Sequence, residues 1–350
     1  MKPMQFPNPN MLVYIGCADA ALMAQEFCKK KDDEKRFQDI LNMKAYYAHP
    51  NPRLAHKAGH YTDDTEMSVA NAMVLTAFEP PYTLEQFADA YVYAFRYGGK
   101  RKGYSRGLQK ILEELHEDEG GEALIKKLGR NSTGNGAAMR AVPIGVLPNV
   151  DDVLQNATLQ AQVTHDTEDG IFSAQTVALM SHFALYEKDS LFTSALQDFC
   201  LTHIKNNRWR KIFRTLWPYP MRIKEHTNVT WSNIPSLMHP HERECFQGDC
   251  TLALATIWSA FTYIIEGGHD LKYIYRRILN EGGDTDSVGA ITWGIVSARA
   301  IAKEQELPEF MTRDLESGNP ITGTPFLKIT GQKLMEKFGQ PNDGISSIVL

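Results

Sequence analysis

Residues 282 to 300 read GGDTDSVGAITWGIVSARA, in which two glycines and two aspartates precede an apolar stretch. The apolar positions recur at the spacing of one helix face, and Gly289 and Gly294 would let a neighbouring helix approach closely. Three more stripes of this period occur at residues 67–78, 252–265 and 271–278. Alternating strand patterns are scarce. We therefore predict an all-α fold, a single compact domain of many helices.

A second acidic cluster stands at the start of another predicted helix, where residues 62 to 66 read TDDTE. A helix N-terminus accommodates negative charge because its free N–H groups and dipole are positive there. One such cluster alone is more typical of a helix cap than of a metal site. The same design at opposite ends of the sequence favours one shared ligand. Aspartate, threonine and serine oxygens form an all-oxygen set, which suits Mg²⁺ or Mn²⁺ rather than zinc.

Two other known loops share part of the pattern at residues 284–288. An EF-hand loop would need ligands at its fifth and twelfth positions, where this chain has Val288 and Ile295, so that interpretation fails. The nucleophile loop of haloacid-dehalogenase-type phosphatases also reads Asp-x-Asp-x-Val. It follows a buried strand, whereas Asp284 follows a predicted helix and a Gly-Gly cap. The phosphatase interpretation stays open but is weakly supported.

Composition sets loose bounds on the class of protein. The 350 residues carry a net charge of −5, which gives no overall attraction to nucleic acid or anionic membrane. Five cysteines without CxxC spacing argue against a disulfide framework and a structural zinc. No apolar stretch reaches the roughly 18 residues of a membrane span, and the N-terminus lacks a signal's apolar region. We expect a cytoplasmic protein.

Two stretches look less regular than the rest. Residues 1 to 10 hold three prolines and two asparagines, so we expect an extended, unanchored segment before a single domain at 11–350. Residues 204–226 interleave seven basic residues with Trp209, Phe213 and Trp217. Such a stretch can bind nucleic acid or an acidic protein. A surface helix that packs its tryptophans inward is the more ordinary explanation, so we do not expect a nucleic-acid partner.

Four motifs together resemble the ADP-ribosylglycohydrolase family, which includes dinitrogenase-reductase-activating glycohydrolase and the ADP-ribosylarginine hydrolases. The acidic clusters resemble its metal motifs, as Thr-Asp-Asp-Thr at 62–65 and Gly-Gly-Asp-Thr-Asp-Ser at 282–287. Between them, GNGAAMR at 134–140 resembles its Gly-Asn-Gly loop followed by Met-Arg. Thr164-His165-Asp166 resembles its Thr-His motif. The four occur in the family's order.

The resemblance implies an ADP-ribosylglycohydrolase-type fold with two divalent cations, Mg²⁺ or Mn²⁺, in a central cleft. The residues that match the family's cation ligands are Thr62, Asp63, Asp64, Asp284, Asp286 and Ser287. The catalytic candidates are Glu26, Asp63 and Asp286. Of these, Glu26 matches a glutamate suggested as general acid/base or water-orienting group, and Asp286 would bridge the two ions.

The resemblance also implies contacts to ADP-ribose, for which the candidates are Gly103, Tyr104, Asn135, Gly136, Met139, Arg140 and His165. Small residues after Gly134 let backbone N–H groups face an anion, and Arg140 would neutralise a pyrophosphate. The loop is not a Walker A motif, because no Gly-Lys-Thr/Ser follows. Residues 98–104 resemble the family's variable substrate loop, which would either close over the diphosphate or be solvated. His165 would orient a ligand or cap a helix.

One segment departs from the family pattern. The family reads Gly-Asp-Ala-Leu-Gly where this chain reads ADAAL at residues 18–22, ahead of Glu26. Asp19 and Glu26 keep their places, but larger residues replace both glycines. The change would narrow the cleft or repack a helix contact, which puts the substrate range in doubt more than catalysis.

The function implied by the resemblance is metal-dependent removal of ADP-ribose from a modified protein side chain. Arginine, with its N-glycosidic bond, is the first choice of linkage because Asp286-Ser287 resembles the arginine hydrolases. The alternative is an immunity protein that sequesters an ADP-ribosyltransferase toxin. The altered residues 18–22, the Pro-rich start and residues 204–226 motivate that alternative. The expected partners are an ADP-ribosylated protein and, for the alternative, a transferase, with no membrane.

Overall fold

The computed structural model describes residues 3–28, 33–52, 54, 56–188, 194–216, 251–303 and 305–339. Within these ranges the regular elements are helices, and β pairing is limited to two isolated bridges, Asn131 with His165 and Gly134 with Leu252. The all-α prediction is therefore confirmed. In the same ranges, no helix is long and apolar enough to cross a membrane.

The α-helices of the described residues are α1 (Met11–Leu22), α2 (Glu34–Leu41), α3 (Asp63–Ala77), α4 (Leu84–Tyr97), α5 (Arg106–Glu114), α6 (Gly121–Lys127), α7 (Val150–Gln162), α8 (Glu168–Tyr186), α9 (Ser194–His203), α10 (Asn207–Leu216), α11 (Ala253–Gly267), α12 (Leu271–Glu281), α13 (Thr285–Ala302), α14 (Glu309–Arg313) and α15 (Thr324–Phe338). Short 3₁₀ helices span Met23–Gln25, Asn135–Ala137, Val142–Val146 and Leu315–Gly318. The four helices predicted from apolar stripes are α3, α11, α12 and α13. All four are confirmed.

Helices α1 and α13 form the centre of the fold. Every residue of α1 is buried, as expected of a helix that is apolar on all sides. Glycines on α13 allow the close approach: a Cβ at Gly294 would lie 2.7 Å from Ile15 Cγ1, and one at Gly289 would overlap Leu22. The predicted role of these two glycines is confirmed.

Glycines also end the two helices that precede α13. Gly268 follows α11 with φ 58°, and Gly282 follows α12 with φ 78°. Positive φ is readily adopted by glycine because it has no Cβ. The second of these turns leads directly into Asp284, so the helix-ending glycines also set where α13 begins.

Residues 3–10 contain no helix but are firmly attached to the rest of the fold, so the expectation of an unanchored segment is wrong. Asn8 is fully buried and its Nδ2 donates to Ser297 Oγ at 2.6 Å. The backbone N–H of Gln5 donates to the Leu185 carbonyl at 2.8 Å. The Arg299 guanidinium lies 3.6 Å from the centroid of the Phe6 ring. These long-range partners fasten the segment to α8 and α13.

The aromatic residues of α10 point inward. Trp209 is fully buried and stacks on Phe172 with ring centroids 3.8 Å apart. Phe213 packs edge-on against Phe261 at 5.0 Å. The ordinary explanation of the basic-aromatic stretch is confirmed for Trp209, and Phe213 is buried as well, while Trp217 and residues 218–226 lie outside the described ranges.

Candidate active site

A cleft of about 400 Å³ opens where α3 and α13 begin. It brings together acidic clusters that lie at opposite ends of the sequence. The predicted site residues that line it are Glu26, Asp63, Asp64, Gly103, Asn135, Gly136, Met139, Arg140, His165, Asp284, Asp286 and Ser287. Of the predicted residues, Thr62 and Tyr104 lie outside this lining.

Backbone contacts bring Glu26 to the second acidic cluster. The N–H of Phe27 donates to the carbonyl of Gly283 at 2.9 Å, and Thr285 Oγ1 donates to the carbonyl of Leu22 at 2.8 Å. These two bonds hold the end of α1 and its 3₁₀ extension against the start of α13. As a result, one carboxylate oxygen from each of Glu26, Asp284 and Asp286 falls within 4.8 Å of the other two.

Asp19 holds the start of α3 in place. It lies buried in α1 and accepts hydrogen bonds from the N–H groups of Thr62 and Thr65, at 3.0 and 3.1 Å, and from Thr65 Oγ1 at 2.6 Å. Burial raises the pKa of Asp19 to about 6, against the effect of these bonds. In the sequence, Asp19 matches the family pattern but has no predicted role. The feature that could have indicated a role is a carboxylate inside an otherwise apolar helix.

Thr62 faces carboxylates. Its hydroxyl oxygen lies 3.0 Å from Asp19 Oδ1 and 3.0 Å from Asp64 Oδ2, and its one proton serves one of them at a time. The side chain therefore orients two acids at the edge of the site. Its role as a cation ligand stays a prediction.

The acids of the cleft resist ionisation. Burial, and next Asp19, raise the pKa of Asp63 to about 8. Burial, and next Asp284, raise the pKa of Glu26 to about 8. The pKa values of Asp64 and Asp286 are also raised, first by burial and then by neighbouring carboxylates. Positive charge among these groups would favour their ionised forms.

Two oxygen atoms show how the site fits a cation. Asp64 Oδ1 and Asp286 Oδ1 are buried, and neither has a hydrogen-bond partner in the described part of the chain. A buried carboxylate oxygen without a partner is costly. An all-oxygen set of this kind is typical of Mg²⁺ or Mn²⁺ sites, so the donors present fit such an ion.

Asn135 links the glycine-rich loop to the second acidic cluster. Its Nδ2 donates to Asp284 Oδ2 at 2.7 Å and to Thr256 Oγ1 at 3.0 Å. Its backbone N–H donates to the Thr251 carbonyl at 2.8 Å. The residue thus orients an acid of the cleft, and its predicted contact with ADP-ribose stays a prediction.

Ion pairs hold the loop at residues 98–104 to the fold at Arg101. Arg101 is 7% exposed and pairs with Glu316 Oε1 at 2.7 Å and with Glu66 Oε2 at 3.0 Å. The Tyr104 hydroxyl donates to Glu66 Oε1 at 2.6 Å, and Tyr104 is not among the residues that line the cleft. This placement does not support the predicted ADP-ribose contact of Tyr104. Gly103, with φ 119°, does lie against Asp63, where a Cβ would overlap the carboxylate.

Arg140 does not have the geometry expected for a direct pyrophosphate contact. The side chain is fully buried, and its Nε donates to Gln160 Oε1 at 2.6 Å. Its Nη2 donates to the Gln160 carbonyl at 2.8 Å and to Thr164 Oγ1 at 2.7 Å. Nε and Nη2 of the guanidinium are therefore committed to protein oxygens, and Nη1 lies 3.4 Å from the sulfur of Met67.

The altered residues 18–22 repack a helix contact. Ala18 and Leu22 are fully buried and face Gly289 of α13, and neither lines the cleft. The side chains at these two positions therefore lie between α1 and α13.

Comparisons with known proteins identify the family and the fold. The family model described as ADP-ribosylglycohydrolase matches residues 15–343. A solved structure described as an ADP-ribosylglycohydrolase-related protein complex aligns with a TM-score of 0.63 and 18% identity, covering 95% of this chain and 97% of that one. At this identity the likeness shows the fold.

Curated relatives carry the name ADP-ribosylhydrolase ARH3. The Homo sapiens protein is 32% identical over 142 residues, which are 38% of this chain and 38% of that protein. The Xenopus tropicalis protein is 30% identical over 151 residues, 41% and 42% of the two chains. The chain thus spans about two fifths of the length of these relatives. The Gallus gallus protein is 25% identical over 283 residues, 73% and 74% of the two chains.

Proposed function

This chain belongs to the ADP-ribosylglycohydrolase family, and we propose that it is a metal-dependent hydrolase that removes ADP-ribose from modified protein side chains. The observation that carries the proposal is the meeting of Asp63 and Asp64 with Asp284 and Asp286 in one cleft beside Glu26. Buried carboxylates at this density serve no evident structural purpose. They suit chemistry at a ribose carbon, where charge develops as the glycosidic bond breaks.

The residues that would hold two divalent cations are Asp63, Asp64, Asp284 and Asp286, with Thr62 and Ser287 beside them. Bound there, Mg²⁺ or Mn²⁺ would orient the ribose hydroxyls and lower the pKa of an attacking water. The chain's own contribution is to fix the acids: Asp19 holds the start of α3, and Asn135 holds Asp284.

Glu26 is the residue we assign to proton transfer. It stands beside Asp284 and Asp286 on a turn bonded to the start of α13, and it lines the cleft. A carboxyl group at this position can exchange a proton with water or with the leaving side chain. Water adds to the anomeric carbon, the glycosidic bond breaks, and the leaving atom takes up a proton.

We propose arginine as the modified residue. This part of the proposal is supported only by the likeness of Asp286-Ser287 to the arginine hydrolases, since the names of the relatives do not specify a linkage. The test supplies peptides ADP-ribosylated on arginine or on serine, with Mg²⁺ or with EDTA, and measures released ADP-ribose. We expect Mg²⁺-dependent release, faster from arginine.

The controls separate the site from the rest of the chain. Asp286→Asn should abolish release, whereas Asp118→Asn, at an exposed position outside the cleft, should leave it unchanged. Release from serine alone would overturn the choice of linkage. Absence of metal-dependent release from both peptides would overturn the proposed activity.

The sequestering alternative and its transferase partner stay predictions. The features that motivated them have intramolecular roles where the structure describes them. The N-terminal segment binds α8 and α13, Trp209 stacks on Phe172, and Ala18 packs against Gly289. We therefore do not build a second proposal on them.

A further inference from the structure

Arg140 is a buried cation whose partners are neutral. No carboxylate pairs with it in the ranges that the structure describes, and its guanidinium lies 4.5 Å from the centroid of the Tyr91 ring. Its strong hydrogen bonds go to Gln160 and to Thr164. Burying a guanidinium without an acidic partner is costly, so the groups that it contacts are where its role should be sought.

The hydrogen bond that Arg140 donates to Thr164 determines the direction of the hydrogen bond between Thr164 and His165. A guanidinium only donates hydrogen bonds, so Thr164 Oγ1 accepts from Nη2 at 2.7 Å. The same oxygen lies 2.6 Å from His165 Nδ1. The Thr164 hydroxyl has no other partner among the described residues, and its single proton is therefore directed to Nδ1. The ring nitrogen Nδ1 is the acceptor.

An imidazole that accepts at Nδ1 carries its proton on Nε2 when it is neutral. Burial, and next Arg140, lower the pKa of His165 to about 3, so the ring is neutral at physiological pH. The ring packs on the glycine-rich loop: a Cβ at Gly136 would lie 2.8 Å from Cε1 and 3.2 Å from Nε2. His165 lines the cleft, and in the described part of the chain nothing accepts a hydrogen bond from Nε2.

We propose that Arg140 is a positioning residue that, through Thr164, fixes the His165 proton on Nε2 and so presents a donor to an acceptor oxygen of the bound nucleotide. The identity of that nucleotide, ADP-ribose, rests on the proposed function. The position of the His165 proton does not rest on the proposed function. The acceptor is a phosphate oxygen or a ribose hydroxyl, which share the same hydrogen-bond chemistry.

The first test measures the proton position without any ligand. Long-range ¹H–¹⁵N spectra of the full chain, with His165 assigned through a His165→Asn variant, should show Nε2 protonated and Nδ1 accepting. Thr164→Val should release this preference and give a mixture of tautomers, whereas Thr164→Ser should restore the wild-type pattern. The matched control is Thr176→Val, which removes a buried hydroxyl bonded to the Phe172 carbonyl at 2.9 Å. It should leave His165 unchanged.

The second test is binding, measured by titration calorimetry with ADP-ribose and with ADP. Thr164→Val should weaken ADP-ribose binding about fivefold, the usual worth of one hydrogen bond. An equal loss with ADP places the acceptor in the ADP part of the ligand, on a phosphate or on the adenosine ribose, and a loss confined to ADP-ribose identifies the terminal ribose.

The proposal is overturned if wild-type His165 is protonated on Nδ1, or if Thr164→Val leaves the tautomer unchanged. Either result would be decisive regardless of which substrate the chain hydrolyses. Conversely, a wild-type protein that binds no ADP-ribose would count against the proposed function and leave the tautomer result to decide whether Thr164, held by Arg140, sets the position of the His165 proton.

Discussion

The Nδ2 of Asn135 donates to Asp284 Oδ2 across 2.7 Å, which ties the loop in the middle of the chain to the acidic cluster near its end. Partners that orient a metal ligand typically affect metal affinity by about 10–100-fold. We expect Asn135→Ala to weaken Mn²⁺ binding by about that factor, since Asp284 would lose its orientation. Calorimetric titration measures the effect. Asn42→Ala, at an exposed helix end, is the control, and equal affinities for the two variants would contradict the assigned role.

Glu26→Gln should reduce turnover by about 10²–10³-fold, because proton transfer by a positioned carboxyl is worth that much. The amide keeps the shape of the side chain, so Mn²⁺ affinity should change less than it does in Asp286→Asn. Rates of ADP-ribose release and metal titrations on both variants distinguish the roles. If Glu26→Gln loses metal binding as fully as Asp286→Asn, Glu26 is a ligand and not the proton-transfer group. Glu117→Gln, at an exposed position, should behave as wild type.

The cleft acids predict how stability depends on pH. Asp63 and Glu26 have folded pKa values of about 8, above their unfolded values of about 4. Acids with raised folded pKa values stabilise the fold below about pH 4 and lose that contribution as pH rises toward about 8. In EDTA, the Tm should therefore fall across this range.

Added Mg²⁺ should oppose that fall, and the gain in Tm from Mg²⁺ should grow with pH because the cation binds the ionised acids. Thermal scans from pH 5 to pH 8, with Mg²⁺ and with EDTA, provide the measurement. Asp63→Asn should flatten the dependence in EDTA. Parallel curves with and without Mg²⁺ would show that these acids do not bind it.

Gly289→Val should destabilise the protein by about 1–3 kcal/mol through overpacking. The new side chain would overlap Leu22 where α1 and α13 are in closest contact. Urea unfolding measures the change in free energy. The matched control is Gly107→Val on α5, where a Cβ meets no atom within 4 Å. A loss as large at Gly107 would mean that the contact with Leu22 is not the cause.

Helices and their ends were predictable from the sequence because their signals are local. The apolar stripes of α3, α11, α12 and α13 and the glycines after two of them needed no knowledge of distant residues. The fate of Asn8 was not predictable in this way, since its partner Ser297 lies almost at the other end of the chain. Prolines and asparagines near a terminus indicate an irregular segment but not whether it is anchored.

Site residues were predictable as a set but not in their orientations. The acidic clusters and Glu26 were expected to share one cleft, and they do. The direction of Tyr104 depends on Glu66, and that of Arg140 depends on Gln160 and Thr164. None of these three partners is adjacent in sequence to the residue that it binds, so the motifs alone predicted that both side chains contact the ligand.

The two bonds that join Phe27 to Gly283 and Thr285 to Leu22 have an evolutionary consequence. In each of them the acceptor is a main-chain carbonyl, and one of the two donors is also main chain. Neither hydrogen bond uses the side chain of residue 22, 27 or 283, so both groups of donors and acceptors remain when those side chains change. The register between Glu26 and the second acidic cluster can therefore be kept while the side chains at these three positions change.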